Sequence, residues 1–267
     1  MSIREIAALI EAFAPLAWQE EYDNAGLIVG RPDDEVHGIL LAVDVTEAVL
    51  DEAEAKGCDL IITHHPIVFK PLKRFNSADY VQRCVERAIR RGIALYACHT
   101  NLDSAPHGMS WTLAGMLGIG ALQTLQPTEA GSPAGFGVVG TLPEPVELFA
   151  FLRQLQRTLG VRCVRHSAPV LPRVQRIALC TGAGASLIGE ARRAGAELYI
   201  TADLKYNDFM TPDGALVVAD IGHFESEYCA INLLFGILSK NLFNFALHKS
   251  ENSQNPVNYL VEGPLNE

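Results

Sequence analysis

The sequence lacks several things, and each absence narrows the field. No run of basic residues occurs in its 267 positions, and the formal net charge is −10. That balance disfavours nucleic-acid binding by phosphate neutralisation, although a small anion could still be held locally. No apolar stretch approaches the roughly 20 residues that cross a bilayer. The first helical stretch, SIREIAALIEAF, carries charges at helical spacing and has no cleavage site, so a signal peptide is not expected. The six cysteines include no C-x-x-C pair. Several sit in apolar patterns such as ALYAC and IALC, which reads as small buried hydrophobes in a reducing compartment and implies a cytoplasmic location.

What is present is a rhythm. Ser2 and Glu5 form a capping box ahead of Ile3, Ile6, Ile10 and Phe13 at helical spacing, with Pro15 as the stop. GILLAVDV reads as a buried strand, Thr46 caps the helix EAVLDEAEAKG, and Gly57 ends it. DLIIT is a strand, Asp79 to Arg91 a helix closed by Gly92, and IALYAC a strand. A helix follows around Trp111 to Leu117. Such alternation predicts an α/β fold with largely parallel or mixed sheets flanked by helices. The Thr-, Pro- and Gly-rich stretch from about Gln123 to Pro133 marks the expected junction between two α/β lobes, residues 1–125 and 126–267. Beyond it come GFGVVGTL, the helix PVELFAFLRQLQRTLG, RIALCT, SLIGEARRAG, ELYIT, ALVVADI and the helix SEYCAINLLFGILSK. FNFAL and VNYLV read as edge strands that could pack back on the first lobe. Residues 51–63 align without gaps to residues 189–201, so the lobes could be related halves with a site between them.

Ligands in parallel sheets bind beyond the carboxyl ends of the strands. After DLIIT stand His64 and His65. After IALYAC stand His99 and Asp103, after ELYIT Asp203, and after ALVVADI His223, Glu225 and Glu227. Consecutive residues leaving a strand point in opposite directions, so His64 and His65 suit two neighbouring ions better than one. His223 and Glu227 are one helical turn apart and share a face. Glu227 has two oxygens with which to bridge, and Asp103 adds another. Imidazole and carboxylate without thiolate suit Zn, Mn, Fe or Co, and two such ions about 3.5–4 Å apart activate a bridging water. Against this stands the bland alternative of a turn or a packed histidine pair. His99 is a candidate for proton transfer, or for a hydrogen bond behind a ligand. CTGAGAS resembles an anion-cradling turn, but it lacks the dinucleotide fingerprint and a phosphate-binding lysine, and close backbone packing explains its glycines equally well.

The segments YDNAGLIVG, VDVTEAVLDEA, DLIITHHPIVFKPLK, HTNLDSAPHG, CTGAGAS, YITADLKY and DIGHFESE occur in an order that resembles the NGG-interacting-factor-three-like family, whose members are often called GTP cyclohydrolase I type 2 homologues. The resemblance implies a two-lobed α/β subunit with a dinuclear metal centre between the lobes. Carried over by position, the ligands are His64, His65, Asp103, His223 and Glu227. It also implies a toroidal homohexamer. One departure is visible: Ala202 and Asn207 stand in TADLKYND, where the family commonly has glycine and a later histidine, and this bears on any substrate contact at that loop. The expected function is a metal-dependent hydrolase acting on a nucleotide-like or cyclic amide substrate. The alternatives are a phosphoesterase and a non-catalytic scaffold or metal-delivery oligomer. No nucleic-acid or membrane partner is expected.

Overall fold

The structure is a computed structural model and describes residues 1–210 and 214–260. In chain order the elements are α1 (Ile3–Glu11), β1 (Gly26–Val29), β2 (Gly38–Ala42), α2 (Glu47–Lys56), β3 (Leu60–Thr63), α3 (Tyr80–Arg91), β4 (Ala94–Ala97), α4 (Thr100–Ser104) and α5 (Met109–Met116). They continue with β5 (Gly120–Pro127), β6 (Gly135–Glu147), α6 (Leu148–Leu159), β7 (Arg165–His166), β8 (Arg173–Ala183), α7 (Ile188–Arg193), β9 (Leu198–Ala202), β10 (Val217–Asp220), α8 (His223–Glu227), α9 (Cys229–Ser239) and β11 (Ala246–Lys249). Local chemistry sets many of these boundaries. The Ser2–Glu5 capping box is formed at α1, and the Thr46 and Asp79 side chains accept amide hydrogens at the starts of α2 and α3. Gly57 and Gly92 end those two helices in the left-handed region, where a β-carbon is costly.

Among the described residues the strands form two sheets, both mixed. One has the order β1-β4-β3-β2-β11, with β1 antiparallel to β4 and the other pairs parallel. The second has the order β5-β6-β8-β9-β10-β7, with β8, β9 and β10 parallel. Two α/β units are therefore present, as the alternation predicts. The chain changes sheet between β4 and β5. The stretch 123–133 is thus the end of β5 and its turn into β6, and the expected division at residue 125 falls inside a strand. FNFAL contributes β11 at the edge of the first sheet. Val257 to Leu260 have no regular structure, and the last residue of VNYLV, Val261, lies outside the described residues.

Side-chain alternation explains how the sheets stack. Ile39 and Leu41 of β2 enter the same core as Ile177, Leu198 and Val217 of the second sheet, together with α1, α5, α6 and α9. Leu40, Ile61 and Leu95 point the other way, onto α2 and α3, while Ala178, Tyr199 and Val218 cover α7. Period-two burial on both faces produces the near-continuous apolar runs read in the sequence. Five of the cysteines are buried and all six are free thiols. Among the described residues no helix is long and apolar enough to cross a membrane.

Residues 51–63 and 189–201 both run helix, left-handed glycine, parallel strand, with Gly57 at φ 67° and Gly195 at φ 71°. The parallel strands of both sheets end toward the same space, where the histidines gather.

Behind that space the C-terminal chain is tied down by one carboxylate. Glu52 of α2 is 6 % exposed and accepts from Ser250 Oγ at 2.6 Å, from the amides of Glu251 and Asn252, and from Lys56 Nζ at 2.6 Å. Burial raises its pKa, but these donors outweigh it and bring the group down to about 2. A depressed carboxylate stabilises the fold above its unfolded pKa and loses that contribution as pH falls through its folded pKa. Glu52→Gln is therefore expected to cost about 2–3 kcal/mol at pH 7 and far less at pH 2.5. Urea denaturation at the two pH values checks this, and equal losses at both would count against the clamp.

Candidate metal centre

Each strand end contributes one part. β3 runs directly into His64 and His65, and β4 leads through Cys98 to His99 and then α4, which carries Asp103. From the second sheet, β10 leads through Gly222, at φ 89°, to α8, whose one turn places His223 and Glu227 together. The left-handed Gly222 lets the chain reverse directly into that turn. His223 Nε2 and Glu227 Oε2 are 2.9 Å apart.

Glu227, 3 % exposed, sits at the centre. Its Oε1 faces His64 Nε2 at 3.5 Å. Its Oε2 faces His65 Nε2 and His223 Nε2, each at 2.9 Å. Asp103 Oδ1 lies 3.7 Å from His64 Nε2. The donors sort into two sets that share Glu227, namely His64 with Asp103 and His65 with His223, and either set could hold a metal ion. A third group, His64, His65 and His99, meets the same distance condition. The neighbouring imidazoles thus address opposite oxygens of one carboxylate, as expected for side chains leaving a strand in opposite senses.

The far side of each ring is fixed. His64 Nδ1–H donates to the Cys98 carbonyl oxygen at 2.7 Å. His65 Nδ1 meets Asp44, His223 Nδ1 meets Asp203 and His99 Nδ1 meets Asp23, all at 2.7 Å. With Nδ1 protonated toward these acceptors, neutral rings turn the Nε2 lone pairs inward. Those lone pairs then face carboxylate oxygens, an arrangement that needs protons or a cation between them. Consistently, His64 Nε2, Asp103 Oδ1 and Glu227 Oε2 are buried without a hydrogen-bond partner, although Oε2 stands at ion-pair distance from two rings. Nitrogen and oxygen donors, convergent and orphaned, fit a divalent transition metal.

Without an ion the electrostatics fall to protons. Burial opposes charge on His65, yet Asp44 and Glu227 lift it to about 10. Burial likewise opposes charge on His223, and Glu227 with Asp203 lifts it to about 9. Burial also pushes Glu227 up, but the surrounding imidazoles, His64 foremost, hold it well below the usual carboxylate range. Asp103 is raised by burial, reinforced by the Glu227 charge.

The structure brings His64, His65, His99, Asp103, His223 and Glu227 into one cluster. Glu225 stays outside it, near Gly222 and Tyr259. His37 pairs with Asp59 at the surface. The orienting carboxylates Asp23 and Asp44 carry no periodic or spacing signal. Asp203, in a left-handed conformation at φ 57°, was visible only as a residue after a strand.

The arrangement defines a class: two α/β units whose strand ends converge on a buried imidazole–carboxylate cluster. A sequence profile of the Duf34/NIF3 (NGG1p interacting factor 3) family matches residues 1–256, and the chain belongs to that family. It is 34 % identical over 230 residues to a Clostridium perfringens protein called GTP cyclohydrolase 1 type 2 homolog, covering 85 % of this chain and 87 % of that one. It is 31 % identical over 250 residues to NIF3-like protein 1 of Drosophila melanogaster, covering 90 % and 83 %. The hypothetical protein SA1388 of Staphylococcus aureus superposes with a TM-score of 0.89 at 26 % identity, over 97 % of this chain and 99 % of that one.

Gly182, at φ 62°, closes one wall, and a β-carbon there would overlap Glu227 Oε1. Gly57 has a similar φ but open space around it. Gly57→Ala should cost about 1–2 kcal/mol from backbone conformation alone. Gly182→Ala should cost about 2–4 kcal/mol, because Glu227 must also move. Equal losses in parallel thermal melts would show that Gly182 serves its φ angle only.

Proposed function

We propose that this chain binds two divalent metal ions and is a cytoplasmic metal-dependent hydrolase. The observation that carries the reading is the shared position of Glu227, each of whose oxygens faces a different donor set. One ion would be held by His64, Asp103 and Glu227, the other by His65, His223 and Glu227, with Zn, Mn, Fe and Co all suited to the donors. When bound, such ions supply Lewis acidity and lower the pKa of water, which is the chemistry of hydrolysis. The protein supplies the rest. Asp44 and Asp203 hold the rings of His65 and His223 in one tautomer, and Asp23 does the same for His99. His99, whose ring centroid is 5.4 Å from that of His64, would hold or move a proton at its Nε2 beside the substrate. The name GTP cyclohydrolase 1 type 2 homolog, carried by the Clostridium perfringens relative, supports a nucleotide-like or cyclic amide substrate, and the family resemblance supports assembly as a homohexamer.

Metal analysis after reconstitution should give two ions per chain, and fewer than about one would sink the reading. Glu227→Gln should reduce the content for both positions, whereas His37→Ala should leave it unchanged. Turnover that depends on Glu227 marks a hydrolase; full metal content without turnover marks a metal-holding scaffold. Because His65 and His223 carry protons up to about pH 10 and 9 in the metal-free protein, each must lose one to bind. Apparent metal affinity should therefore rise with pH from 6 to 9, by up to about tenfold per unit for each proton released. Chelator competition at pH 6, 7 and 8 measures it, and a flat profile would contradict the ligand assignment.

A further inference from the structure

The metal cluster forms one wall of a cavity of about 530 Å³, within the usual range for small-molecule sites. Asp103 Oδ1 and Glu227 Oε2, buried and without hydrogen-bond partners, lie on this wall. The remaining walls are chemically distinct. Ser110, Thr181, Ser186 and Gln126 supply neutral polar groups, and Tyr22 and Phe136 supply aromatic surface. Among the described residues lining the cavity there is no lysine or arginine. Glu20 lines it as well. The Glu20 main chain is engaged, its amide donating to Thr100 Oγ1 and its carbonyl accepting from Asp23. Its carboxylate makes no hydrogen bond or ion pair among the described residues.

The first part of the glycine turn is taken up by its own packing. Thr181 N donates to Ser110 Oγ at 3.3 Å and Gly182 N to Ser226 Oγ at 2.9 Å. The Gly182 carbonyl accepts from Thr201 Oγ1 at 3.0 Å, and that of Gly184 from Tyr199 OH at 2.8 Å. A β-carbon on Gly184 would overlap Thr201 and Tyr199. Gly182 and Gly184 thus serve close packing, and a 3-10 turn at Ala185–Leu187 leads from them into α7. Polyphosphate recognition by protein groups relies on guanidinium or ammonium side chains or on a cradle of free amides. This cavity instead offers three carboxylates, two imidazoles already paired with carboxylates, neutral hydroxyls and aromatic faces.

We infer that the protein walls of the cavity recognise a planar nitrogen heterocycle and not a phosphate, with adjacent N–H groups of the ring donating to Glu20 and the ring lying against Tyr22 or Phe136. A carboxylate accepts two parallel N–H bonds in one plane, and charge-assisted bonds of this kind are the strong ones. Aromatic surface binds the face of such a ring without regard to its substituents. The inference rests on the proposed hydrolase site for its location, and it assigns the class of substrate.

Guanosine, inosine, GTP and tripolyphosphate serve as probes in calorimetric titrations. They are run on the protein as purified with its metal and again after chelation, which separates the walls from any attraction of phosphate to metal. In the chelated protein guanosine and GTP should bind within about threefold of each other, and tripolyphosphate should not compete. Guanosine should bind more tightly than inosine, which lacks the 2-amino donor. Glu20→Gln should weaken guanosine about tenfold and erase the difference between the two nucleosides. GTP binding more than tenfold tighter than guanosine, competition by tripolyphosphate, indifference to Glu20→Gln, or no nucleoside binding at all would each overturn the inference. Guanosine bound normally by a metal-loaded protein that never turns over a ring substrate would sink the hydrolase reading and leave this one standing.

Discussion

A carboxylate held at 3 % exposure among three imidazoles is the constraint on which the rest of the molecule turns. A buried charge is tolerated only when opposite charge is brought to it with good geometry. Glu227 comes from the second sheet, and His64 and His65 come from the first. The two sheets must therefore meet in one relative position for the charge to be met at all. The shared core between them, from Ile39 and Leu41 across to Ile177 and Val217, supplies the rigidity that this position requires.

Around this centre the same device is used three times. Asp23, Asp44 and Asp203 each take the Nδ1 proton of a histidine, and each stands in a loop rather than within a strand. Asp203 adopts a left-handed backbone to do so. Asp220, buried beneath it, holds the Leu204 amide at 2.9 Å and pairs with Arg165, which fixes the loop that aims Asp203. Orientation of the inner groups thus reaches outward through hydrogen bonds to residues that never touch the cavity.

Much of this is legible in the sequence. Capping residues and left-handed glycines marked α1, α2 and α3, because those signals are local. The cluster was legible through a topological rule: polar residues after parallel strands converge, and His64, His65, Asp103, His223 and Glu227 all follow strand ends. Asp203 follows a strand end, but the orienting role of all three aspartates depends on which ring lies behind them, a tertiary fact without sequence spacing. The stretch 123–133 reads as a junction because β5 and its turn into β6 contain the Thr, Pro and Gly that elsewhere mark linkers. Composition cannot distinguish a hairpin turn from a domain junction.

The parallel pairing of β11 with β2 joins residues about two hundred positions apart, and the Glu52 clamp closes just beyond it. On a ribosome, the first sheet starts to emerge with β1 and β2 but waits about two hundred residues for β11 to arrive. Until then β2 presents an open edge of five apolar residues, the kind of surface that chaperones cover. The half of the molecule that is made first is therefore the half that is finished last. The histidine cluster is tied to the same late segment, since the amide of Val43, immediately before Asp44, donates to Ser253 Oγ.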